Sequence, residues 1–89
     1  MTSEAGMTEA DITSEVTAFL ERSYPDGSLR IAADLRLREE GVIGSLGLLE
    51  LVSFLEAHFG IFVDDHEVDL DHFGTVQDIA AFVNTKLDR

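Results

Sequence analysis

The chain has 89 residues, enough for one small domain, and a domain of that size buries only about 60% or a little more of its unfolded surface, leaving no room for both a core and a catalytic cleft. Six Lys and Arg against eighteen Asp and Glu give a net charge of −12, a sign that repels phosphate backbones and anionic lipid heads and attracts basic protein patches, so nucleic acid and membrane are excluded as partners. The absence of cysteine excludes a disulfide framework, a thiolate zinc site and a cysteine nucleophile, and fits a reducing cytoplasm.

Residues 1–7 are polar and small and read as a flexible N-terminus ahead of a single domain over 8–89. They lack the basic start and apolar stretch of a signal peptide, and no apolar run is long enough to span a bilayer. Thr8 and Asp11 form a capping-box signal, followed by Ile12, Val16, Phe19 and Leu20 at helical spacing, which predicts a first helix ending near Arg22. Tyr24-Pro25-Asp26-Gly27 is a turn signal. From there to Gly44 the chain reads as a long loop pinned by Leu29, Ile31, Leu35, Leu37, Val42 and Ile43, with room for a helical turn within 31–37. A second helix is predicted from Ser45 to His58, stopped by Gly60, after which Ile61 and Val63 point inward around Phe62. Val68, Leu70 and Phe73 suggest a short third helix or an irregular turn. The last helix opens at Thr75, with Asp78 placed to return a capping bond, and carries Val76, Ile79, Ala80, Val83 and Leu87 on one face. These amphipathic stripes predict an all-α fold, a small bundle of three to four helices.

The second helix is unusual in having two apolar faces. Leu48, Leu51, Val52, Leu55 and Phe59 share one stripe, at spacings of three, four and seven, and form the expected core face. Leu46, Leu49, Ser53 and Ala57 fall on the reverse, edged by Glu50 and Glu56. One stripe suffices for a core, so the second reads as a docking ridge. From Glu39 to Thr85 there is no Lys or Arg, which makes basic proteins the fitting partners of that ridge.

Taken together, G-S-L-G-L-L-E-L-V from Gly44, then F-G-I-x-V from Phe59 to Val63 and T-V-Q-D-I-A from Thr75 to Ala80, resemble the acyl carrier protein family over nearly the whole chain. The resemblance implies that Ser45 is the hydroxyl that accepts a 4′-phosphopantetheine arm, whose thiol holds cargo as a thioester. It implies a phosphopantetheinyl transferase as modifying partner, an acyl ligase or acyltransferase as loader, and downstream synthases with basic docking patches. A monomeric, cytoplasmic shuttle in a fatty-acid, polyketide or lipopeptide pathway follows, with no catalytic residue of its own. The acidity leans toward acyl cargo; an aminoacyl or peptidyl carrier of the nonribosomal type shares the fold, and an unmodified acidic adaptor would use the same helix face. The sequence departs from the family pattern at Gly44, where an acidic residue usually precedes the serine.

A serine at a helix start is more often simply a cap, but the two roles are compatible, because helix N-terminal N–H groups favour a phosphodiester. Gly44 and Gly47 leave room for a transferase to approach. A nucleophile elbow fails because Ile43 stands where its first glycine is needed. His58, His66 and His72 lack the spacing of a helical metal pair. An EF-hand starting at Asp65 fails at Leu70 and Val76, leaving a solvated acidic turn with no metal site.

Overall fold

The computed structural model describes residues 8–22 and 30–88. The expected flexible N-terminus, the Tyr24–Gly27 turn and the Leu29 anchor lie outside the described residues. Among the described residues four α-helices follow in order: α1 Glu9–Glu21, α2 Ser45–Phe59, α3 Leu70–Phe73 and α4 Val76–Asp88. A 3-10 turn, Asp65–Glu67, precedes α3, and the described residues contain no strand. The fold is the all-α bundle that the hydrophobic periodicity predicts.

Local chemistry sets several of the helix ends. Thr8 accepts from the Asp11 amide at 3.1 Å and the Asp11 carboxylate accepts from the Thr8 amide at 3.1 Å, closing both halves of the predicted capping box. Gly60 ends α2 in the left-handed region at φ 69°, and its amide donates to the Glu56 carbonyl. At α4 the Thr75 hydroxyl accepts from the Asp78 amide at 3.0 Å, the forward half of the expected cap.

The core is continuous. Ile12, Val16 and Leu20 of α1 meet Val76, Ile79, Ala80 and Val83 of α4, with Leu51 and Leu55 of α2 and Phe73 of α3 completing it. Phe82 is buried as well, although the predicted α4 stripe leaves it out. Leu48, Val52 and Phe59 pack only partly against the core, so α2 is anchored chiefly through Leu51 and Leu55.

The segment 30–44 is loop, and it is pinned as predicted by Ile31, Leu37 and Ile43, all buried. Turns at 33–34 and 37–41 take the place of a helix within 31–37. Backbone bonds fix it to the rest of the bundle: the Leu37 amide donates to the Gly74 carbonyl at 3.0 Å, and the Gln77 amide to the Ala33 carbonyl at 2.9 Å. Two carboxylates act as staples between elements. Glu21 accepts from the Ile31 amide at 3.0 Å, and Glu56 accepts from the Val63 amide at 2.9 Å.

Candidate functional site

Ser45 is exposed at the start of α2, and the structure fixes its position from behind. The Leu37 carbonyl accepts from the amides of both Val42, at 2.9 Å, and Ile43, at 3.3 Å, while the Leu37 amide is bound to Gly74. Gly41 makes the turn between them at φ 75°. Ile43 is thereby seated in the core one residue before Gly44, and a Cβ added at Gly47 would stand 3.1 Å from the Ile43 side chain. A buried leucine and a buried isoleucine thus hold the helix start against the junction of α3 and α4.

Ser45 itself does not cap the helix. The N-cap is Gly44, extended at φ −105° and ψ −169°, and Ser45 is the first helical residue. Gly44 offers no side chain, no side-chain bond closes this helix start, and the first turn carries no acidic residue. By contrast α1 has Glu9 and Asp11 in its first turn and α4 has Asp78. The α2 terminus therefore keeps its uncompensated partial positive charge beside an exposed hydroxyl. Open space surrounds Gly44, with nothing within 4 Å of a built Cβ. A phosphodiester on Ser45 fits this arrangement.

Beyond Ser45 the predicted ridge is solvent-facing. Leu46 and Leu49 are 69% and 64% exposed, and Ser53, Ala57 and Glu50 are exposed with them. Glu56 differs from the expected rim carboxylate, because it is half-buried and occupied by the Val63 amide. Its charge stands at the ridge edge, but its oxygens secure the chain beyond Gly60. Phe62, also expected to point outward, is 68% exposed.

The two-face reading of α2 misses its contact with α1. Phe54 stacks on Phe19 at a centroid distance of 4.3 Å, and His58 stacks on Phe54 at 5.0 Å while reaching Glu15 of α1 at 3.4 Å. Phe54 lies on the helical wheel between the core stripe and Glu50, and its aromatic character was the available signal. Around this seam two open concavities share Phe19 and Glu50. One, about 510 Å³, is lined also by Leu49, Ser53 and Phe54; the other, about 250 Å³, by Leu20, Arg22, Val42, Ile43 and Gly47. The Arg22 guanidinium sits over the Phe19 ring, 5.4 Å from its centroid.

The acidic turn is more ordered than a merely solvated one. Glu67 accepts from the Asp64 amide at 2.9 Å and pairs with Lys86 of α4 at 2.8 Å; the lysine first, and that amide second, hold its carboxyl below the usual glutamate range. Asp69 is lowered by the His72 amide and, after burial opposes the shift, by the His72 ring at 2.9 Å. Among the described residues no group of three or more His, Asp and Glu is placed to hold a metal ion, and no helix is long and apolar enough to cross a membrane.

No protein-family model matches the chain. Curated relatives do. The D-alanyl carrier protein of Bacillus licheniformis is 32% identical over 74 residues, covering 83% of this chain and 95% of the relative. The D-alanyl carrier protein of Abiotrophia defectiva is 30% identical over 73 residues, covering 82% and 92%. The acyl carrier protein of Thermotoga maritima is 30% identical over 77 residues, covering 86% and 93%. Among solved structures, a chain of one described as "Crystal structure of FAD-dependent dehydrogenase" superposes with a TM-score of 0.68 at 25% identity, covering 76% of this chain and 97% of that one. A small helical bundle whose relatives over most of their length are carrier proteins is a carrier, and such proteins are not themselves enzymes. The chain belongs to the acyl carrier protein family.

Proposed function

We propose that Ser45 bears a 4′-phosphopantetheine arm, added by a phosphopantetheinyl transferase, and that the protein shuttles a thioester-bound cargo between enzymes. What supports this reading most directly is the exposed Ser45 hydroxyl at an uncapped helix start, in a chain whose relatives are carriers over nearly their whole length. The arm supplies the thiol; the protein supplies position and address. Ser45 contributes the oxygen, the first-turn amides of α2 favour the anion, and Ile43 and Leu37 hold that turn in place.

Partners read the ridge of Leu46, Leu49, Ser53 and Ala57, with Glu50 and Glu56 steering basic surfaces of loading enzymes and downstream synthases. The protein acts as a monomer in the cytoplasm. Its cargo is acyl, in a fatty-acid, polyketide or lipopeptide pathway, or aminoacyl. The aminoacyl reading is favoured by two relatives being D-alanyl carrier proteins.

Coexpression with a transferase of broad specificity, followed by intact mass, tests the site. The expected result is one arm per chain, lost completely in Ser45→Ala, which keeps its helical circular dichroism. A modified Ser45→Ala would move the site elsewhere, and an unmodified parent protein would favour an acidic adaptor.

A further inference from the structure

Among the described residues the large apolar side chains that stand out in solvent are Leu46, Leu49 and Phe62. The two leucines belong to the ridge beside Ser45. Phe62 follows Gly60, past the far end of α2, and the fifteen residues of that helix put about 21 Å between its two ends. The fold holds Phe62 outward. Val63 beside it is buried, with its amide fixed by the Glu56 carboxylate at 2.9 Å, and Phe62 is left 68% exposed.

Phe62 forms one wall of an open cleft of about 280 Å³, whose other sides are Gly60, Ile61, Lys86 and Leu87. Ile61 and Leu87 are half-buried, so the lining is largely apolar. Lys86 offers no free charge there, because its Nζ pairs with Glu67 at 2.8 Å and lies over the Phe82 ring, 5.4 Å from the centroid. The chain leaving the cleft is acidic: Asp64 and Asp65 follow at once, and Asp65 is exposed with no ion pair among the described residues.

An apolar cleft with a negative border calls for an apolar side chain flanked by positive charge. A second copy of this chain does not supply it, since each copy brings a net charge of −12 and the same acidic border. Residues 1–7 and 23–29 of the chain itself contain no Lys or Arg and lack the complementary sign.

We infer that the Phe62 cleft is a second docking surface, and that its occupant is a segment of another protein carrying an apolar side chain beside Lys or Arg. Bound there, such a segment holds the protein by the pole farthest from Ser45 and leaves Leu46 and Leu49 free. Attachment at one pole raises the local concentration of whatever reads the other, so a weak grip suffices. The cleft stands on its own geometry; its use as a tether during loading rests on the reading of Ser45 as the arm-bearing residue.

The test titrates the intact, isotope-labelled protein with three capped pentapeptides, KLKLK, KSKSK and ELELE, and reads amide NMR shifts. KLKLK should move Ile61, Phe62, Asp65 and Leu87 saturably. KSKSK, which has the charge without the apolar side chain, and ELELE, which has the opposite sign, should leave them in place. Phe62→Ser should weaken KLKLK binding at Ile61 and Leu87 by about tenfold or more, with any shifts at Leu46 and Leu49 unchanged, and Phe62→Leu should restore most of it. Asp65→Asn should weaken it about 1.4- to 5-fold, the range exposed ion pairs supply. Both positions are exposed, so circular dichroism melts of the variants should match the parent. Cleft shifts that survive Phe62→Ser, shifts confined to the ridge, or KSKSK or ELELE binding as tightly as KLKLK overturn the inference. So does a dimer in sedimentation that Phe62→Ser dissociates, which would give the cleft to a second copy. Arm addition to Phe62→Ser should run at the parental rate, and a slower rate would place Phe62 within the transferase's footprint and end its separate role. A parent protein that takes no arm removes the Ser45 reading alone, because the titration decides the cleft by itself.

Discussion

Gly44→Asp is the substitution in which stability and modification are most closely joined. The backbone at Gly44 is extended, φ −105° and ψ −169°, a conformation that aspartate adopts without strain, and nothing lies within 4 Å of the new Cβ. The carboxylate would then face a helix start that has no side-chain cap and no first-turn acid. Replacing glycine by a good cap contributes a few tenths of a kcal/mol, and a negative charge at the terminus a further 0.3 to 1, so the sum is about 0.5 to 1.4 kcal/mol. For a domain of this size that raises the melting temperature by about 2 to 11 °C. Thermal circular dichroism on the unmodified protein measures it. Gly44→Asn separates the contributions, since asparagine caps without charge and should keep its smaller gain at high salt, where the charge component of aspartate fades. The aspartate gain requires the ionised form, whose pKa the helix terminus lowers; it is full above about pH 3.9 and is lost as pH falls through the lower folded value. With the proposed phosphodiester on Ser45, two anions would compete for one terminus, so the gain from Gly44→Asp should shrink. Initial modification should nevertheless be faster than in the parent protein, because the first turn is better formed. A melting temperature that does not rise, in aspartate and asparagine variants alike, would refute the view that the α2 start is under-capped.

The two faces of α2 should respond differently to truncation: Leu55→Ala, fully buried, should cost about 2 to 5 kcal/mol, whereas Leu49→Ala should stay within about 0.5 kcal/mol and weaken partner binding. Equal losses in urea melts would remove the basis for a separate ridge. Glu50→Gln should slow association with a loading enzyme, most at low salt, where the Debye length exceeds the roughly 8 Å of physiological ionic strength. Its charge-matched control is Glu9→Gln at the far end of α1; Glu21 is unsuitable because its carboxylate holds the Ile31 amide. Equal slowing in stopped flow would assign the effect to net charge alone. Glu67, with its pKa lowered by Lys86, favours the fold when ionised, so its contribution is present above the ordinary 4.5 and is lost as pH falls through the lower folded value. Lys86→Met should therefore flatten the fall in urea midpoint between about pH 5 and 3, and an unchanged profile would show that the pair does not couple to folding.

The sequence by itself determined those features whose causes lie within one or two helical turns. Thr8 and Asp11, Gly60, and Thr75 act on amides or carbonyls no more than four residues away, so the ends they set are legible as spacing. The same holds for the buried stripes of α1 and α4, and for the solvent-facing Leu46 and Leu49, since helical period alone separates one face from the other. The tertiary structure decided what depends on residues meeting across elements. Whether Glu21 and Glu56 are rim charges or staples turns on where the Ile31 and Val63 amides arrive, ten and seven residues away. Phe54 belongs to the seam because Phe19 of another helix stands 4.3 Å from it. The start of α2 at Ser45 was legible in the sequence, but that Gly44 and not the serine is its cap depends on Leu37 and Ile43 locking the preceding loop to Gly74 and the core. A local pattern can specify where a helix begins; the packing of the loop before it selects the residue that caps it.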